Sequence, residues 1–327
     1  MSTEAIPGAR HARLQLMAGQ ALSRYGIVVA FFVLCAVLSG LNEYFLTRGN
    51  IVNVLRQASI NGILAIGQTF VILTGGIDLS VGSLLAVCGI LGALVVTGDN
   101  PRSPALALLI GVAAGTGFGV VNGALVARLR VPAFVATLGM LSVARGLTFI
   151  SNDGMPVPNL ADSFLLLGQG FVAGVPIPVI LFAVTVLVAW IVLRFTTYGR
   201  YVYAVGGNER SARTSGIATR RVIFSVYVIS GALAGLSGQL LAARTTSALP
   251  QAGLSYELDA IAAVVIGGTS LTGGVGSVIG TLFGVLIIAV ISNGLDLMGV
   301  SSYYQQVIKG TIIVLAVLLD TSRRARD

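Results

Sequence analysis

Residues 194–221 read RFTTYGRYVYAVGGNERSARTSGIATRR, the one long polar stretch in an otherwise apolar chain. It carries six arginines, Arg194, Arg200, Arg210, Arg213, Arg220 and Arg221, against a single acid, Glu209. Hydrophobic runs flank it, one ending near Val192 and the next starting near Val222. Basic residues close to an apolar span hold that end of the span on the cytoplasmic side of a membrane. The stretch also spells a short helix with both ends marked. Asn208 is an N-cap residue, Glu209 complements the positive helix start, and Gly216 can take the left-handed conformation that stops the helix. A capped helix presented between membrane spans suits docking to a soluble partner. The plainer alternative is a solvated basic loop with incidental helicity.

Composition points the same way. Apolar residues make up 55% of the 327 and charged residues 10%, and the mean hydropathy is +0.93. A soluble domain carries about 25% charged residues, so the solvent for most of this surface is lipid. The net charge of +8 comes from arginines and a single lysine, Lys309. The arginines fall at segment ends and not in one patch, which argues against nucleic-acid binding. Cys35 and Cys88 sit inside apolar runs without metal-ligand spacing and read as free thiols. His11, the only histidine, lies in the polar N-terminus, so neither a histidine metal centre nor a Ser-His-Asp site is expected.

Ten apolar segments are long enough to cross a membrane at about 20 residues each. They cover 25–41, 51–73, 79–97, 105–127, 132–151, 177–193, 222–242, 256–271, 275–294 and 303–320. The expected fold class is therefore an all-α polytopic membrane protein of about ten transmembrane helices. With the N-terminus inside, fourteen arginines fall in inner segments, and Arg48, Arg102 and Arg244 fall in outer loops. That asymmetry places both termini in the cytoplasm. The chain then divides into a cytoplasmic tail over 1–24, a membrane domain over 25–320 and a second cytoplasmic tail over 321–327. The membrane domain includes the cytoplasmic loop 194–221 and an external loop 152–176, where ADSFLLLG suggests a short surface helix. The first span is read as an uncleaved anchor, because no small-residue cleavage site follows it.

Glycine is abundant, 42 residues in all. GGIDLSVGSLLAVCG at 75–89 resembles GGTSLTGGVGSVIG at 267–280, and each block joins two spans, compatible with a parallel internal repeat. Such blocks interrupt helices at membrane depth where protein or a water-filled cavity surrounds the backbone. Within the apolar segments, Asp78 is expected near the cytoplasmic boundary as a helix cap. Glu257 and Asp259 are expected in the first turn of the eighth span. Arg145 and Lys309 could pair with an acid such as Asp296. None of these forms a chain suited to proton or sodium coupling. No G-x-x-x-x-G-K-[ST] is present, so ATP hydrolysis does not reside here.

Five blocks carry a family resemblance: TGGIDLSVGSLLAVCG (74–89), VNGALVARLRVPAFVATLGML (121–141), GRYVYAVGGNERSARTSGI (199–217), YELDAIAAVVIGGTSLTGGVGSVIGTL (256–282) and SNGLDLMGVSSYYQQVIKG (292–310). Together, and in this order, they resemble the ribose-type permeases of bacterial ABC sugar importers. The resemblance implies a homodimeric permease in the bacterial inner membrane, bound to a cytoplasmic ATP-binding subunit and supplied by an extracellular or periplasmic sugar-binding protein. It also implies that Asn208, Glu209, Arg210, Ser211, Ala212, Arg213, Thr214, Ser215 and Gly216 form the region that couples to the ATPase. The interval from Glu209 to Gly216 is one residue longer than in the coupling motif of other importer classes. No catalytic residue, cofactor or metal is implied. The competing readings are an ion-coupled secondary transporter, which should show coupling-ion ligands, and a passive pore or scaffold, which would not need a capped docking helix.

Overall fold

The computed structural model describes residues 26–98 and 100–324. The tail expected over 1–24 lies outside them, as do residues 325–327. The described residues form helices joined by turns: α1 (Gly26–Leu41), α2 (Arg48–Leu73), α3 (Val81–Ala93), α4 (Pro104–Gly123), α5 (Ala133–Ile150), α6 (Asp162–Gln169), α7 (Ile177–Phe195), α8 (Thr197–Gly207), α9 (Glu209–Thr214), α10 (Thr219–Thr245), α11 (Tyr256–Ile266), α12 (Val278–Leu297) and α13 (Ser302–Arg324). A π-helical turn, Ala124–Arg128, extends α4. Two two-residue strands, β1 (Phe171–Val172) and β2 (Val175–Pro176), pair antiparallel between α6 and α7. Helix starts follow local sequence. Ser103 accepts from the Leu106 N–H with Pro104 at the first turn, and Ser277 accepts from the Gly280 N–H.

Among the described residues, five helices are long and apolar enough to cross a membrane: α4 with its π turn, α5, α7, α10 and α12. α2 is 26 residues long and carries the buried polar residues Gln68 and Thr69 among its apolar ones. The chain is thus an all-α membrane protein. α10 is its centre. The apolar stretch of α10 is 72% buried, against 22% in α4 and α7. α10 packs on α4 through facing glycines, where a Cβ on Gly231 or Gly235 would overlap the carbonyl of Gly115 or Gly111. Glycines four apart on each helix let the two backbones touch, the usual route to tight packing where lipid removes the hydrophobic drive.

Two expected spans are shorter than expected. α3 has 13 residues and α11 has 11, lengths of about 20 Å and about 17 Å at 1.5 Å per residue. Neither covers a hydrocarbon core of about 30 Å alone. At its far end α3 stops because the chain turns at residues 94–96 and Thr97 bridges to Leu160. α11 stops at the glycine block, where Gly268, Gly273 and Gly274 have positive φ.

Three charged residues need correction. Asp78 is not at a solvated boundary: it is fully buried and accepts from the Ser80 N–H at 3.0 Å, the Ser80 hydroxyl at 2.6 Å and the Ser230 hydroxyl at 2.9 Å. It closes the turn before α3 and ties that turn to α10, in place of capping α3 itself. Lys309 pairs with Asp259 at 3.0 Å, and Asp296 instead accepts from the Gln305 amide at 2.7 Å. Glu257 and Asp259 do occupy the first turn of α11. In the 152–176 loop, α6 forms as expected. Its Phe164 is buried against Ile90, Ala107 and Ala242, while Leu166 stays 59% exposed.

Candidate functional site

The polar stretch folds into two helices where one was expected. Thr196 caps α8 by accepting from the Gly199 N–H, and Val202 and Val205 turn inward. Two tyrosines fasten α8 to the bundle. The Tyr198 hydroxyl bonds that of Ser225 on α10 at 2.7 Å, and the Tyr203 hydroxyl donates to the Gly276 carbonyl at 3.0 Å. Burial pushes both phenols above the usual tyrosine range; the Ser225 bond pulls Tyr198 back in part and Arg194 does so for Tyr203. Both stay neutral at physiological pH, so the Tyr203 bond keeps its donor.

Asn208 is extended and its side chain accepts from the Ser211 N–H at 2.9 Å, capping α9 as the sequence indicates. At the other end Gly216 has φ +84°, and the N–H groups of Gly216 and Ile217 donate to the carbonyls of Arg213 and Ala212. Glu209 accepts from the Arg213 guanidinium and, at 3.1 Å, from the Thr219 hydroxyl. The ion pair is exposed and contributes about 0–1 kcal/mol. The bond to Thr219 matters more for geometry, because it fastens α9 to the first residue of α10. Within α9 and its caps, only Ala212 is buried; Arg210, Ser211, Thr214 and Ser215 face outward. A cleft of about 360 Å³ lined by Thr74, Gly75, Arg130, Arg213, Arg220 and Tyr227 separates α9 from the turn after α2. α9 is therefore a small exposed projection, held at its ends.

Behind α9 lies a junction that the sequence did not reveal. Three double glycines converge there: Gly75–Gly76 after α2, Gly206–Gly207 at the end of α8, and Gly273–Gly274 in the block between α11 and α12. The Gly274 N–H donates to the carbonyl of Leu73, the last residue of α2, at 3.0 Å. A Cβ on Gly206 would overlap that same carbonyl and lie 2.5 Å from the Gly274 nitrogen. A Cβ on Gly273 would lie 2.7 Å from the Gly75 nitrogen and 3.0 Å from the Gly206 Cα. Three backbones thus touch without side chains between them, two residues upstream of the α9 cap. α8, which leads into the α9 cap, bears directly on the ends of α2 and of the α11–α12 block.

Comparison with known proteins fits this architecture. Residues 50–317 match the family described as the branched-chain amino acid transport system permease component. The chain belongs to that permease family. It is 47% identical to the ribose import permease protein RbsC of Bacillus subtilis over 307 residues, covering 93% of this chain and 94% of the relative. It is 45% identical to RbsC of Escherichia coli K12 over 329 residues, covering 99% and 100%. It is also 39% identical to the D-allose transport system permease protein AlsC of Escherichia coli K12 over 299 residues, covering 91% of each. No solved structure matches the chain. The match makes this permease a transport component and not an enzyme. All nine residues from Asn208 to Gly216 lie together as one capped helix. The junction glycines and Thr219 join them in space. Their only sequence signal was that each of the three blocks holds a glycine doublet beside a helix end.

Proposed function

We propose that the chain is the membrane-spanning permease subunit of an ATP-driven importer for a monosaccharide, ribose being the favoured substrate. It is a multi-pass protein of the bacterial inner membrane. ATP hydrolysis occurs in a separate cytoplasmic subunit, and a periplasmic or extracellular binding protein delivers the sugar. The near full-length similarity to ribose import permeases carries this reading. In the same proposal two copies form the pathway, ten segments cross the membrane (those of α3 and α11 together with the non-helical residues that continue them), the two glycine blocks belong to a parallel repeat, and the tails over 1–24 and 321–327 are cytoplasmic. The arginine asymmetry supports that orientation, with the membrane domain spanning 25–320.

Residues 208–216 are the coupling region. Their support is physical: a capped helix on the basic loop, outward-facing on most of its surface and backed by a junction to three other elements. At the opposite end, loop 152–176 carries α6, whose exposed Leu166 offers a contact for the binding protein. Reconstitution tests the function. In proteoliposomes with the ATP-binding subunit and the binding protein, uptake across a panel of ribose, allose and arabinose should require ATP, with ribose taken up fastest. Uptake driven by an ion gradient without ATP would favour a secondary transporter and contradict the proposal.

A further inference from the structure

One face of the bundle cannot be satisfied by lipid. Between α10 and α11 the chain leaves helical geometry over residues 246–255, with positive φ at Thr246, Gly253 and Ser255. This segment does not stay at the bundle end. A Cβ on Gly253 would overlap the Gly82 carbonyl, and a Cβ on Gly82 would overlap the Glu257 carboxylate, so Gly253 and Glu257 reach the first turn of α3. That turn follows Asp78, which bonds Ser230, the twelfth residue of α10 and about 16 Å along it. Glu257 therefore lies well inside the thickness of the bundle. Arg145, two-thirds along α5, meets the same segment by donating from Nη1 to the carbonyls of Pro250 at 2.7 Å and Ala252 at 3.0 Å. Arg145 is thus fastened to the segment that leads into Glu257 at the start of α11.

Both charges are only partly buried, and exposed Leu254 and Leu258 sit beside them. A guanidinium and a carboxyl group, together with non-helical backbone, are not left facing hydrocarbon. They border protein or a water-filled passage. α7 differs: over its middle turns the outward residues Ala183, Val184, Leu187, Val188 and Ile191 are all apolar.

We infer that Arg145 and Glu257 form a binding site for a neutral polyhydroxylated solute on its way through the membrane, on the face made by α5 and residues 249–258, with a second copy of the chain closing the passage. The chemistry fits. Nη1 spends its two hydrogens on the carbonyls, leaving Nη2 and Nε to donate, and Glu257 accepts. A guanidinium donor and a carboxyl acceptor on one face match the hydroxyls of such a solute, which both give and take hydrogen bonds. The inference rests on the transport reading above and assigns the passage that this reading requires.

The test separates the two. In a C35S/C88A background, single cysteines replace Ser142, Leu254 or Leu258 on this face and Leu187 or Val188 on α7. The permease in proteoliposomes is then treated with a charged, membrane-impermeant thiol reagent. Reaction is expected at the first three and not at the α7 pair, whatever drives transport. In the coupled system Glu257→Gln should lower solute moved per ATP hydrolysed by about tenfold, since one acceptor oxygen is replaced by an NH2 donor and the remaining acceptor is neutral. Equal reactivity of the two faces, or an unchanged transport ratio with E257Q, would overturn the assignment. Should E257Q fail to assemble, the labelling pattern alone decides.

Discussion

Replacing Gly206 by alanine is expected to reduce sugar uptake and binding-protein-stimulated ATP hydrolysis by at least about tenfold, while Gly207→Ala stays within about twofold of the parent. The two residues are neighbours in α8, so propensity changes alike at both. Their surroundings differ completely. A methyl group on Gly206 would overlap the Leu73 carbonyl, whereas one on Gly207 meets nothing within 4 Å. Backbone cannot rotate aside as a side chain can, so α8 must withdraw from the end of α2. That withdrawal opens the bond from the Gly274 N–H to Leu73. Overpacking of this kind costs about 1–3 kcal/mol, enough to disconnect α9 without unfolding a bundle centred elsewhere on α10. Extraction and yield of the two variants should match. Normal uptake by G206A would remove the junction from the coupling route.

Gly216→Val is expected to lower uptake by about tenfold, with Gly216→Asn retaining more than about half, because the barrier there is purely conformational. Gly216 sits at φ +84°, and a Cβ at this position has open space around it. Sterics with neighbours therefore predict no effect, and backbone strain predicts a large one for a β-branched residue. Asparagine tolerates the left-handed region better than other non-glycine residues. Valine would release the N–H groups of Gly216 and Ile217 from the end of α9 and turn the helix away from its presented orientation. Equal loss in both variants would point to a role for the missing side chain, and equal uptake would show that α9 need not end there.

What could be seen in the sequence was local. The caps of α9 lie within nine residues, and the bond from the Ser211 N–H to the Asn208 side chain spans three, so residue types alone specified it. The same holds for the Glu257 and Asp259 turn, and for long apolar helices such as α7 and α12. α8 was hidden because Val202 and Val205 are spaced among tyrosines and glycines, which read together as a polar loop. The short helices α3 and α11 were missed for another reason. Apolar runs extend past both, and only tertiary pairing, as between Thr97 and Leu160, shows where the backbone leaves the helix. Lys309 has Asp296 nearer in sequence, yet it meets Asp259, fifty residues away, through the packing of α13 on α11. The glycine junction is the clearest limit: its doublets are separated by more than sixty residues at the closest, and nothing local says that they touch.

The most direct measurement is a photo-crosslinker placed at Arg210, on the exposed side of α9, in the complete complex of permease, ATP-binding subunit and binding protein. The same probe at Leu166 on α6 serves as the opposite-face control. The account predicts adducts from position 210 to the ATP-binding subunit alone, and none to that subunit from position 166. Adducts from position 210 to the binding protein, or none to the ATP-binding subunit in an actively transporting complex, would contradict it.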